Sequence, residues 1–156
     1  MTLKEKIESD VKTAMKSKDA LAASALRMVI AAVKNKEIED VSQGKLKLGE
    51  SLDDAGVIKV ISALAKQRQE SIEMFKKGGR DDLVKKETAE HALLEKYLPS
   101  QMSESEVEKI VVEAIKESGA AGPKDMGNVM RLVMPKIAGR ADGKLVNEIV
   151  RRKLTP

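Results

Sequence analysis

The stretch SESEVEKIVVEAIKESG, Ser103 to Gly119, carries a complete helix with its own punctuation. Ser103 and Glu106 have capping-box spacing, so each side chain can satisfy a backbone amide that the first helical turn leaves free. Val107, Ile110, Val111, Ala114 and Ile115 follow at three- and four-residue steps and share one face. Gly119 ends the helix, because glycine accepts the left-handed geometry of a helix terminus.

Downstream, the pattern repeats twice. A short helix starts near Lys124 with the stripe Met126, Val129, Met130, Val133 and Met134. The last helix is capped by Asp142, buries Val146, Ile149, Val150 and Leu154, and turns Lys144, Glu148 and Arg151 outward. These three helices form a compact tail domain over 102–156. Met126, Met130 and Met134 read first as flexible core filler. Gly127, costly inside a helix by about 1 kcal/mol relative to alanine, is expected where another backbone, that of the neighbouring helix or of RNA, comes close.

Upstream, Pro99 closes an N-terminal domain over 1–98. Leu3, Ile7, Val11, Ala14 and Met15 mark a first amphipathic helix that ends near Ser17 to Asp19. From Leu21 to about Glu39 the apolar surface is broad: Leu21, Ala25, Met28 and Ala32 form one stripe, and Leu26, Val29, Ile30 and Val33 a second flank. Gly44 and Gly49 sit in a polar connection expected to be mobile. Asp53 or Ser51 then caps a long helix with the stripe Val57, Ile61, Leu64, Ile72 and Phe75, which Gly78 and Gly79 stop. Asp81 and Asp82 open a fourth helix at its positive dipole end, and Leu83, Leu93, Leu94, Tyr97 and Leu98 run along it to Pro99.

The expected fold is therefore all-α: a bundle of about four helices followed by a three-helix tail. Composition agrees, since 42% of the 156 residues are apolar while Phe75 and Tyr97 are the only aromatics. No apolar run reaches the ~18 residues that cross a bilayer, and the acid-bearing start MTLKEKIESDVK lacks the apolar core of a secretory signal. A cytoplasmic protein without membrane contact is expected. With no cysteine, disulfides and thiolate chemistry are excluded.

Charge is uneven along the chain. From Gly119 onward eight basic residues face three acidic ones, a net +5, whereas the preceding residues carry twenty-one against twenty-two. The candidate RNA-binding residues are Lys124, Arg131, Lys136, Arg140, Lys144, Arg151 and Arg152. Lys124 and Arg131 are seven apart, as are Lys144 and Arg151, so each pair projects opposite its helix's apolar stripe. Without aromatics in this region, contact would be with phosphates, riboses and shape rather than with stacked bases. The turn from Gly139 to Gly143 reads as a helix cap, because the Asp142 carboxylate would occupy its amides and repel phosphate. A further basic edge at Lys66, Arg68, Lys76, Lys77 and Arg80 is interrupted by Glu70 and Glu73.

Two longer runs carry a resemblance. KQRQESIEMFKKGGRDDLVKKETAEHALLEKYLPSQMS, Lys66 to Ser103, resembles the signature of the YqeY family, and LRM at Leu26 to Met28 and KNKEIE at Lys34 to Glu39 also fit. KDMGNVMRLVMPKIAGRADGKLVNEIV, Lys124 to Val150, resembles the tail that this family shares with the B subunit of the glutamine-dependent aminoacyl-tRNA amidotransferase. The resemblance implies a helical tail that leans on the body of tRNA. It reaches that subunit's tail and not its catalytic domain, so it brings no catalytic residues with it.

The residues themselves show no amidotransferase chemistry: no cysteine, no serine–lysine arrangement in a glycine-rich loop, no GxxxxGK[ST]. Glu37, Glu39, Asp53, Asp54, Glu87 and Glu90 lie among lysines at helical spacing and read as solvated faces or helix pairs rather than a metal site. His91 has no ligand partners at suitable spacing. Neither metal nor cofactor is expected. We therefore read a non-catalytic tRNA-binding or adaptor module. The alternatives are a protein-interaction module docking an amidotransferase or aminoacyl-tRNA synthetase, and a carbon–nitrogen ligase using glutamine, which the resemblance supplies by name.

Overall fold

The structure is a computed structural model and describes residues 1–137 and 139–155. Ala138, in the basic stretch, and Pro156, at the end of the expected tail domain, lie outside the described residues. Seven α-helices occur among them and no strand: α1 (Leu3–Lys16), α2 (Ala20–Ser42), α3 (Asp54–Lys77), α4 (Asp81–Glu95), α5 (Glu104–Ser118), α6 (Met126–Ile137) and α7 (Gly143–Leu154). A 3-10 turn, Pro123–Asp125, leads into α6. The chain forms two compact units, Met1–Leu98 and Pro99–Pro156.

In the first unit the starts of α1, α2 and α3 are locally determined. Thr2 and Glu5 form a capping box on α1, Asp19 accepts from the Ala22 amide, and Asp53 accepts from Gly56 at 2.8 Å. Asp54, in the first turn of α3, also accepts the Leu3 amide at 2.9 Å, tying the beginnings of two helices together. The core joins Ile7 and Val11 of α1, Leu26, Val29 and Val33 of α2, Val57, Ile61 and Ala65 of α3, and Leu94 of α4. Each such large aliphatic side chain contributes roughly 1.5–3 kcal/mol by leaving water. Tyr97 packs beside this core and donates to Asp10 Oδ2 at 2.6 Å, with Lys6 Nζ 5.0 Å from its ring centre.

Several expectations need correction here. Met15, Leu21 and Met28 are exposed rather than core residues. On α2 the second flank is the buried one, together with Ala25 of the first, because residues 20–33 are apolar on more than one face and the neighbouring helices cover only part of them. The connection expected to be mobile is held at several points: the Lys45 and Leu46 amides bond to the Asp40 carbonyl, and the Leu52 amide to Glu37 Oε1. Glu37 and Glu90 are not solvated. Glu37 meets Lys4 Nζ at 2.8 Å, and the Glu90 carboxylate, 5% exposed, grips the Arg68 guanidinium together with Glu87. That burial removes Arg68 from the basic edge, and Arg80 is paired with Asp82 at 3.2 Å.

The second unit follows its sequence closely. Ser103 and Glu106 make both bonds of the capping box, and Gly119 ends α5 with φ +67°. Val107, Val111 and Ala114 meet Val129, Val133 and Ile137 of α6 and Val146, Ile149, Val150 and Leu154 of α7 in one core. Of the three methionines, Met126 and Met130 are half-buried against that core while Met134 is exposed. Gly127 is not explained by the neighbouring helix: a Cβ built on it would meet nothing within 4 Å, so no helix backbone demands glycine there.

Candidate nucleic-acid interface

The seven candidate cations of the tail separate into two groups. Arg140 is a structural residue. Its Nε donates to the Ser100 carbonyl at 3.0 Å, and its own carbonyl accepts from the Met102 amide at 2.7 Å, fastening the segment before α5 to the turn between α6 and α7. Gln101 adds a bond from Nε2 to the Gly139 carbonyl at 3.2 Å. Arg152 is shared by Glu104 at 3.5 Å and Glu108, and Lys136 lies 3.6 Å from Glu117.

Lys124, Arg131, Lys144 and Arg151 are different: all four are exposed and none has an ion pair among the described residues. Arg131 sits on α6 opposite the stripe Val129, Val133 and Ile137. Lys144 and Arg151 sit on α7 opposite Val146, Ile149 and Val150. Lys124 stands in the 3-10 turn that precedes α6. Long cationic side chains that reach solvent without a carboxylate partner are available to phosphate oxygens. At the intervening turn, Asp142 Oδ1 accepts from the Lys144 amide at 3.0 Å, so this helix start is capped from within the chain.

The acids of α5 change the charge account. Counted by folded unit, Pro99–Pro156 holds ten basic and eight acidic residues, and Met1–Leu98 holds nineteen and seventeen, so each carries a net +2. The imbalance seen along the chain arises because α5 supplies glutamates that fold back onto Arg152 and Lys136. Glu104 and Glu108, four apart, were visible in the sequence as one helix face, but their partner lies 44 residues away from Glu108.

The remaining polar candidates are occupied structurally. Glu39 pairs with Lys36 at 2.9 Å, and His91 Nδ1 lies 3.9 Å from Glu95. Among the described residues no three His, Cys, Asp or Glu side chains are grouped to hold a metal ion. A cleft of about 600 Å³ in the first unit, lined in part by Lys36, Asp40, Lys45, Leu52, Gly56 and Lys59, had no signal in the sequence. Its buried Asp40 carboxylate is met by Lys36 at 3.1 Å. No helix among the described residues is long and apolar enough to cross a membrane.

Comparison with known proteins bears on the whole chain. A family model described as Yqey-like protein matches residues 4–154. The chain is 34% identical over 143 residues to "Altered inheritance of mitochondria protein 41, mitochondrial" of Saccharomyces cerevisiae, covering 88% of this chain and 69% of that protein. The protein of the same name from Eremothecium gossypii is 40% identical over 92 residues, 59% of this chain and 46% of its own length. That of Lachancea thermotolerans is 34% identical over 119 residues, with shares of 75% and 60%.

Proposed function

The chain belongs to the Yqey-like protein family, and from that premise we propose that it is an RNA-binding or adaptor protein whose tail unit holds the backbone of folded tRNA. One observation carries the proposal: the tail commits Lys136, Arg140 and Arg152 to its own acids and carbonyls, yet leaves Lys124, Arg131, Lys144 and Arg151 exposed and unpaired among the described residues. Four such cations recognise phosphate spacing and shape. No aromatic lies in 99–156 to stack on a base.

The resemblance of Lys124–Val150 to an amidotransferase tail supports tRNA as the RNA, and supports an amidotransferase or an aminoacyl-tRNA synthetase as the enzyme served. We place this work in the cytoplasm. The fungal relatives' names place those proteins in mitochondria, so what carries over from them is family membership rather than compartment. The ligase alternative is addressed by assaying glutamine hydrolysis with the purified chain.

Filter binding of bulk tRNA to the full chain tests the proposal. Four phosphate contacts predict a loss of affinity of about a hundredfold between roughly 50 and 200 mM salt. Binding that ignores salt would contradict it.

A further inference from the structure

Helix α2 carries two apolar faces, and the bundle uses one. Ala22, Ala25, Leu26, Val29 and Val33 are buried against the other helices. Leu21, Ser24, Met28, Ala31, Asn35 and Ile38 are all exposed, with Leu21 at 39%, Met28 at 51% and Ile38 at 68%. Their steps are three, four, three, four and three residues, the a and d positions of a heptad repeat, which aligns them as a single straight seam. On α1, exposed Met15 lies beside this seam: its sulfur is 3.3 Å from Nη2 of Arg27. Within the seam, Met28 Sδ is 3.6 Å from Nη2 of Arg68.

Charge decides what fits the seam. Arg27 and Lys34 each immediately precede an a position, Met28 and Asn35, and so occupy successive g positions, seven residues apart along one flank. Both are exposed, and neither has an ion pair among the described residues. A second copy of this chain is a poor occupant. Antiparallel pairing of α2 with itself places Arg27 against Lys34 of the other copy, twice over, and parallel pairing leaves Arg27 facing Ala32. An α-helix with an a/d apolar seam and acids at its flanking positions satisfies both cations and covers Leu21, Met28 and Ile38 together.

We propose that the exposed heptad seam of α2 is the docking strip for an acidic amphipathic helix of a partner protein. The strip lies in the unit Met1–Leu98, is independent of the tail cations, and gives the adaptor a protein-facing side in addition to its RNA-facing one. Ser24, Ala31 and Asn35 are small or polar where a buried core helix would be large and apolar. The strip therefore stays wettable until a partner covers it, and Asn35 fixes register.

The test uses the full chain and two labelled synthetic helices of three heptads. Both have Leu at a and d; one has Glu and the other Lys at e and g. In fluorescence anisotropy the acidic helix should bind saturably and about tenfold or more tighter than the basic one. The paired change Arg27→Glu with Lys34→Glu should reverse that order, and Met28→Asp should abolish binding of either. All three positions are exposed, and circular dichroism melting should match the parent chain. Equal affinity for the two helices, no binding, or an unchanged preference in the charge-reversed chain would overturn the proposal. So would a homodimer seen by sedimentation that Met28→Asp dissolves, or tRNA affinity lost by the Arg27/Lys34 change in place of helix binding.

Discussion

Arg140 Nε donates to the carbonyl of Ser100 at 3.0 Å, and this bond ties the centre of the basic stretch to the segment before α5. Arg140→Ala should lower stability of the tail unit by about 1.5–3 kcal/mol, the range for a hydrogen bond from a charged donor. The slope of tRNA affinity against salt should stay that of the parent. Thermal melting and the salt series together check this, and a flatter slope would return Arg140 to the interface.

The Arg68 guanidinium and the Glu90 carboxylate are buried together, with side chains 11% and 6% exposed. Glu90→Ala should cost about 1.5–3 kcal/mol, because it removes one charged hydrogen-bond partner from a guanidinium that keeps only Glu87 at 3.0 Å. The paired change Arg68→Met with Glu90→Leu should recover most of that loss in urea unfolding. If the single change costs as little as an exposed ion pair, the network is not a structural element of the fold.

Tyr97 and Asp10 make a pH prediction. Burial first, then the bond to Asp10, pushes the Tyr97 hydroxyl above its ordinary 10.0, and the Tyr97 bond, with that from Lys6, holds Asp10 below 3.8. The raised tyrosine stabilises the fold fully below about pH 10 and loses its contribution as pH climbs toward the folded value. The lowered aspartate contributes above about pH 4 and is lost as pH falls. Tyr97→Phe should cost about 1–2 kcal/mol at neutral pH and flatten the alkaline decline relative to the parent chain, read by denaturant melts from pH 7 to about 11. An alkaline limb identical in both chains would contradict the assignment.

What could be read from the sequence was local. Ser103 with Glu106, Asp53 and Asp142 act within three residues of themselves, so their caps were visible without the fold. The α7 stripe Val146, Ile149, Val150 and Leu154 was equally plain, since polar residues flank it. Leu21 and Met28 misled because α2 is apolar on more than one face over residues 20–33, and periodicity then cannot choose the face that packs. Glu90 was missed because its partner Arg68 lies 22 residues away on another helix. The charge asymmetry was likewise a property of chain order: the glutamates that meet Arg152 and Lys136 precede Gly119, and only folding brings them back.

Lys124, Arg131, Lys144 and Arg151 are the proposed RNA contacts of the tail. The direct measurement is the slope of log affinity for tRNA against log salt, for the parent chain and for the chain with all four changed to alanine. A difference of roughly 3 to 4 in slope, with an unchanged melting profile, is the predicted result. Equal slopes in the two chains would contradict it.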